Sequence, residues 1–180
     1  MRKIVAGLFM SLDGVVEAPQ EWQMDLMDDE AGADIQRALD EADTILLGRR
    51  TFEEFAAFWP NADPTDPFAA YINDTPKLVA SNTLTSSDWK HTSFISGDVA
   101  GKLAVLKRQP GKNLGITGSP TLVRSLLHAG VLDELRLQVY PVVVGKGKRL
   151  FDDSLGKLPL RLVDSKITSR GIAILHYQPA

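Results

Sequence analysis

The chain has 180 residues and a formal net charge of -3, with 20 lysines and arginines against 23 acids. Hydrophobic residues make up 44% and cysteine is absent, so a single domain spanning 1–180 can bury its own core, and disulfides, thiolate metal sites and cysteine nucleophiles are excluded. The charge balance argues against a nucleic-acid binder, and no run reaches the ~18 apolar residues of a membrane span.

The N-terminal stretch MRKIVAGLFMSLDG is too short in its apolar part for a signal peptide, and Ser11 and Asp13 interrupt it. A cytoplasmic protein is expected. Lys3 to Phe9 reads as a buried strand, and Asp13-Gly14 marks a turn in the loop that follows. From Asp28 to Ala42 the apolar positions Ala31, Ile35, Ala38, Leu39 and Ala42 share one helical face. Acids crowd its first turn, where the helix dipole favours them. Thr44 to Leu47 is a strand. Thr51 and Glu54 match a Thr-x-x-Glu capping box, which places a helix from Thr51 to Trp59. Phe68 to Asn73 forms a short helix and Lys77 to Ser81 a strand.

Thr92 to Ser96 is another short strand, and Asp98 caps a helix running to Gln109. Asn113 to Thr117 is a strand. Ser119 and Pro120 then give a cap and a first-position proline to the helix Thr121 to Ala129, which ends at Gly130. ELRLQVYPVVVG reads as one long strand near a sheet edge. The tail from Leu160 to Pro179 is a hairpin turning near Ser169 to Gly171. Strands that alternate with helices and then close in a hairpin define an α/β fold. It is a three-layer α/β/α sandwich on a mostly parallel mixed sheet with a C-terminal antiparallel hairpin.

Ligands of open α/β sheets lie beyond the carboxyl ends of the strands. Three such ends carry related devices: LLGRRT, LVASNT and GITGSPTL. Helix N-termini present free N–H groups and partial positive charge, so they hold phosphates. Arg49 and Arg50 add charge-assisted donors suited to phosphate geometry. Two such termini and a hydroxyl turn suit a ligand with several phosphates, such as a dinucleotide; turns with solvated arginines and a plain cap are the bland alternative. GxGxxG and P-loop motifs are absent, and His91, His128 and His176 are isolated, so no metal site is expected.

SLDG, ADTILLGRRTFEEF, KLVASNTL and GITGSPTLVRSLLHAGVLDELRLQVYPVVVGKGKRLF, in that order, resemble the dihydrofolate reductase-like superfamily. The closer likeness is to the reductase domain of riboflavin-biosynthesis deaminase-reductases. The resemblance covers nearly the whole chain. It implies an NADPH-dependent reductase of a small heterocyclic, carbonyl or imine substrate, pyrimidinone- or pterin-like. It also implies cofactor contacts from Gly48, Arg49, Arg50 and Thr51, from Ser81, Asn82 and Thr83, and from Ile116, Thr117, Gly118, Ser119, Pro120, Thr121 and Leu122. Ala6 and Gly14 are placed near the nicotinamide. Asp13 borders that pocket and is the candidate for handling a proton; its plain alternative is a turn carboxylate bonded to nearby backbone. A non-catalytic NADP(H) sensor is the second reading. The apolar LQVYPVVVG run and the resemblance together predict a homodimer packed through the C-terminal half.

Overall fold

A computed structural model describes residues 1–180. Eight strands form one sheet: β1 (Ile4–Ser11), β2 (Ala42–Gly48), β3 (Lys77–Ala80), β4 (Thr92–Ile95), β5 (Asn113–Gly118), β6 (Glu134–Tyr140), β7 (Leu160–Ile167) and β8 (Ala173–Pro179). Their order is β4-β3-β2-β5-β1-β6-β8-β7. The first six run parallel, and β8 joins β6 and β7 in antiparallel pairing. Five α-helices connect them: α1 (Asp29–Asp40), α2 (Arg49–Phe58), α3 (Pro67–Asp74), α4 (Val99–Leu106) and α5 (Pro120–His128). None is long and apolar enough to cross a membrane.

The strand period of two sorts the core into layers. Ile4, Ala6 and Leu8 of β1 and Leu114 and Ile116 of β5 pack with Leu103 of α4 and Leu122, Val123, Leu126 and Leu127 of α5. The opposite face carries two separate clusters. Ile45, Leu47 and Val79 meet Phe52 of α2 and Ile72 of α3. Tyr140 and Ile174 meet Ala31 of α1. The sandwich expected from the sequence is therefore present, with α4 and α5 on one side and α1, α2 and α3 on the other.

Two local expectations need correction. Helix α2 opens at Arg49, not Thr51, and Gly48 is its uncapped N-cap. Gly48 is still paired with Ala80 in the sheet, so the chain turns directly from strand to helix and Thr51 falls inside the first turn. The capping box does not form. The second correction concerns β6, which stops at Tyr140 because Pro141 has no amide hydrogen to continue a ladder. It also lies between β1 and β8, well inside the sheet. The edges are β4 and β7.

Buried polar groups are tied into this frame. Lys77 is 1% exposed. Its ammonium donates to the carbonyls of Ile72 (2.9 Å), Asn73 (3.1 Å) and Thr75 (2.9 Å) and lies 4.5 Å from the Trp89 ring centroid. It thus caps the C-terminus of α3 with a cation, where the helix dipole favours one.

Candidate functional site at the strand ends

Helix caps separate one terminus from the rest. Asp28 accepts from Ala31 N–H, Asp66 from Phe68, Asp98 from Gly101 and Ser119 from Leu122. The corresponding donors of α2 have no side-chain acceptor. They emerge between Arg49 and Arg50, both exposed. The Arg49 guanidinium touches Glu53 one turn along, at 3.3 Å, an exposed pair of little net strength.

The β2 and β5 ends interlock. Leu47 pairs with Gly118. A Cβ on Gly48 would strike the Ser119 hydroxyl and approach the Ser119 amide nitrogen to 3.2 Å. A Cβ on Gly118 would lie 2.6 Å from Thr51 Oγ1, and the φ of Gly118 is +159°. Each glycine thus makes room for the neighbouring turn. The peptide between Gly118 and Ser119 is cis. This close seating sets the N-termini of α2 and α5 side by side, so Gly48, Arg49, Arg50 and Thr51 share one corner with Gly118, Ser119, Pro120 and Thr121.

The next strand end adds the Ser81 turn. Ser81 is buried, and its hydroxyl accepts from the N–H groups of Thr83 (3.2 Å) and Leu84 (3.0 Å). Asn82 Oδ1 accepts from Gly97 N–H at 3.0 Å, which ties the ends of β3 and β4 together. Asn82 and Thr83 are exposed, with the Thr83 hydroxyl 3.3 Å from that of Ser81, so the Asn82 side-chain NH2 is the free donor of this turn.

Other expected residues serve the core. Ala6, Ile116 and Leu122 are buried against α4 and α5, and Ala6 and Ile116 offer a ligand only their backbone. Thr117 is exposed at the end of β5.

On the α1–α2–α3 side, β1 and β5 lie between the strands that carry the two apolar clusters. Gly7 and Gly115 fall on that face by strand alternation with Val5 and Phe9. A Cβ on Gly7 would meet nothing within 4 Å. Gly7 was missed in the sequence, although a glycine inside an apolar strand marks close approach by another group.

Asp13 has a structural task. Its carboxylate accepts from Ser11 Oγ (2.6 Å) and from the N–H groups of Val144 (3.1 Å) and Gly145 (2.8 Å). The Ser11 hydrogen bond, then those from Val144 and Gly145, bring its pKa down to about 2. A group held ionised in this way is poorly suited to donate a proton at neutral pH, so the geometry favours the turn-carboxylate alternative. Gly14 beside it has φ +84°, and a Cβ there would lie 3.9 Å from the Arg149 side chain.

The sheet order and flanking helices define a dihydrofolate reductase-like α/β protein. Dihydrofolate reductase from Enterococcus faecalis, complexed with NADP(H), matches 98% of this chain and 96% of its own at a TM-score of 0.66 and 14% identity. A putative riboflavin biosynthesis protein from Shewanella sp. PV-4 matches 99% of both chains at a TM-score of 0.80 and 19% identity. Within that class the chain belongs to the RibD C-terminal domain family, whose family model matches residues 2–174. The uncharacterized protein YyaP of Bacillus subtilis (strain 168) is 31% identical over 180 residues, covering 98% of this chain and 94% of its own length. RibD of Acinetobacter baumannii is longer, and the chain spans 58% of it at a TM-score of 0.62 and 17% identity.

Proposed function

We propose that the protein is an NADPH-dependent reductase of a small pyrimidinone- or pterin-like heterocycle, or of a comparable carbonyl or imine. The observation that carries this reading is the seating of Gly48 against Ser119, which sets an uncapped helix N-terminus and two exposed arginines beside a second helix N-terminus. The free N–H groups of α2 and the guanidinium groups of Arg49 and Arg50 suit phosphates. Asn82 and Thr83, on the same edge, would hold the 2′-phosphate. When bound, NADPH supplies the hydride. The chain's own residues would supply orientation: Gly118 and Thr121 from the β5 side, and the bare backbone of Gly7 on β1, where a Cβ would meet nothing within 4 Å and a flat substrate would have room to lie.

The second reading, a sensor that binds NADP(H) without turnover, draws support from Asp13, which is engaged as a turn staple. NADPH oxidation measured with a panel of pterins, pyrimidinones and quinones separates the two. Turnover of any member supports the reductase, and binding without turnover of any supports the sensor.

A homodimer is part of the same proposal, with its contact moved from β6 to the edge strand β7. Leu162, Val163 and Ile167 of β7 are 48%, 39% and 65% exposed, and an apolar edge of this kind calls for a cover. Such a dimer leaves the β2 and β5 ends open.

A further inference from the structure

The segment Lys148–Arg149 is fixed from two sides. On one side it is clipped to the loop after β1: Arg149 bridges Val15, Val16 N–H donates to Lys148 O (2.9 Å), and Leu150 N–H to Gly14 O (3.0 Å). Arg149 Nε donates to Asp13 O at 2.9 Å. On the other side Arg124 of α5 donates to Arg149 O (3.2 Å) and Leu150 O (2.9 Å). Leu150 is wholly buried in the main core.

Beyond the Arg149 Nε bond, the Lys148 ammonium and the Arg149 Nη groups make no hydrogen bond within the fold, and each faces one carboxylate at longer range. Lys148 Nζ lies 3.8 Å from Glu17 Oε1, and Arg149 Nη2 lies 3.8 Å from Asp13 Oδ2. Both separations exceed a hydrogen bond. Both side chains are half-exposed, and they border a cleft of about 430 Å³ whose opposite wall is Pro120, Thr121 and Arg124. Asp152 in this cleft is paired with Arg124 at 3.1 Å, and Asp153 is the remaining carboxylate. The cleft therefore joins two cations to the first turn of α5. Cations whose outer donors are not hydrogen-bonded, beside a cleft, favour a ligand with negative charge.

We propose that Lys148 and Arg149 form a second anion clamp, facing the first turn of α5, that takes a phosphate group of the bound ligand. This rests on the reductase reading for the ligand's identity, and the phosphate belongs either to the dinucleotide or to a phosphorylated substrate.

The test measures inorganic pyrophosphate, NADPH and NADH binding by calorimetry to wild type, Lys148→Gln and Lys148→Gln/Arg149→Gln. Weakening of pyrophosphate by about tenfold or more in the double variant is expected, since each charge-assisted contact is worth that much. Equal weakening of NADPH and NADH assigns the clamp to the cofactor's pyrophosphate. Unchanged cofactor binding, with pyrophosphate binding to the cofactor-saturated wild type and lost in the variant, assigns it to a substrate phosphate. Lys148 touches only Glu17 through its side chain, so the single variant reports on the clamp if the double variant does not fold. Equal pyrophosphate binding by all three proteins, or none by wild type, overturns the clamp. Failure of wild type to bind either dinucleotide while pyrophosphate still discriminates the variants overturns the reductase reading and leaves the clamp standing.

Discussion

Gly48 at the end of β2 lies directly against Ser119 at the end of β5, with no room for a Cβ between them. The φ of Gly48 is -76°, which any residue adopts, so space and not backbone freedom requires glycine here. Gly48→Ala should push the two turns apart. The expected cost is about 1–3 kcal/mol of stability, read by thermal unfolding, with a loss of NADPH affinity in the folded protein. Unchanged affinity would place the cofactor elsewhere.

Asp13 ties the loop after β1 to Val144 and Gly145. Its folded pKa of about 2 lies below the ordinary 3.8, so its stabilising contribution is present above pH 3.8 and is lost as pH falls through about 2. Asp13→Asn should flatten acid unfolding in that window. It should also speed hydrogen exchange at Val144 and Gly145 while leaving the shape of any pH–rate profile near neutrality intact. Loss of one limb of that profile would instead make Asp13 a proton donor.

Lys77 is the most deeply buried charged residue, at 1% exposure. Burial lowers its pKa from 10.5 to about 8. The unfolded chain then binds more protons than the folded one between pH 8 and pH 10.5, so this group favours folding increasingly as pH rises through that window. Lys77→Met removes the donor to three carbonyls and should destabilise by about 1–3 kcal/mol at pH 7. The gap between the two proteins should widen toward pH 10. A gap independent of pH would show that Lys77 does not titrate in this range.

The edge strand β7 tests the assembly. Ile167→Glu places a charge on its most exposed apolar position, at 65% exposure. Light scattering at micromolar concentration should show a dimer for wild type and a monomer for the variant, with NADPH affinity unchanged. A wild-type monomer at all concentrations removes the dimer.

Local signals in the sequence were read well. Asp98 and Ser119 cap their helices as their positions indicate, and the final hairpin turns where Gly171 allows it. Long-range placement was not legible in the same way. The apolar run ELRLQVYPVVVG does not say that β6 lies inside the sheet, because β8 covers it from far along the chain. Thr51 and Glu54 satisfy a capping pattern, but β2 runs to Gly48 and the helix starts at once from Arg49, two residues earlier. Lys77 looked like the polar start of a strand, and only the fold brings three carbonyls to its ammonium. The arginines beside the site were visible because they adjoin a strand end. Lys148 and Arg149 carry no local signal of a site, since their cleft requires α5 to be packed beside them.

The most direct test is titration of wild type and Arg49→Ala with NADPH and with NADH. Wild type should bind NADPH with a Kd below about 100 μM, within the usual range for a working substrate, and more tightly than NADH. One charge-assisted contact to the 2′-phosphate is worth roughly 1.5–3 kcal/mol, so Arg49→Ala should weaken NADPH about ten- to a hundredfold and NADH little. Absence of saturable NADPH binding to wild type contradicts a cofactor site at the β2 and β5 ends.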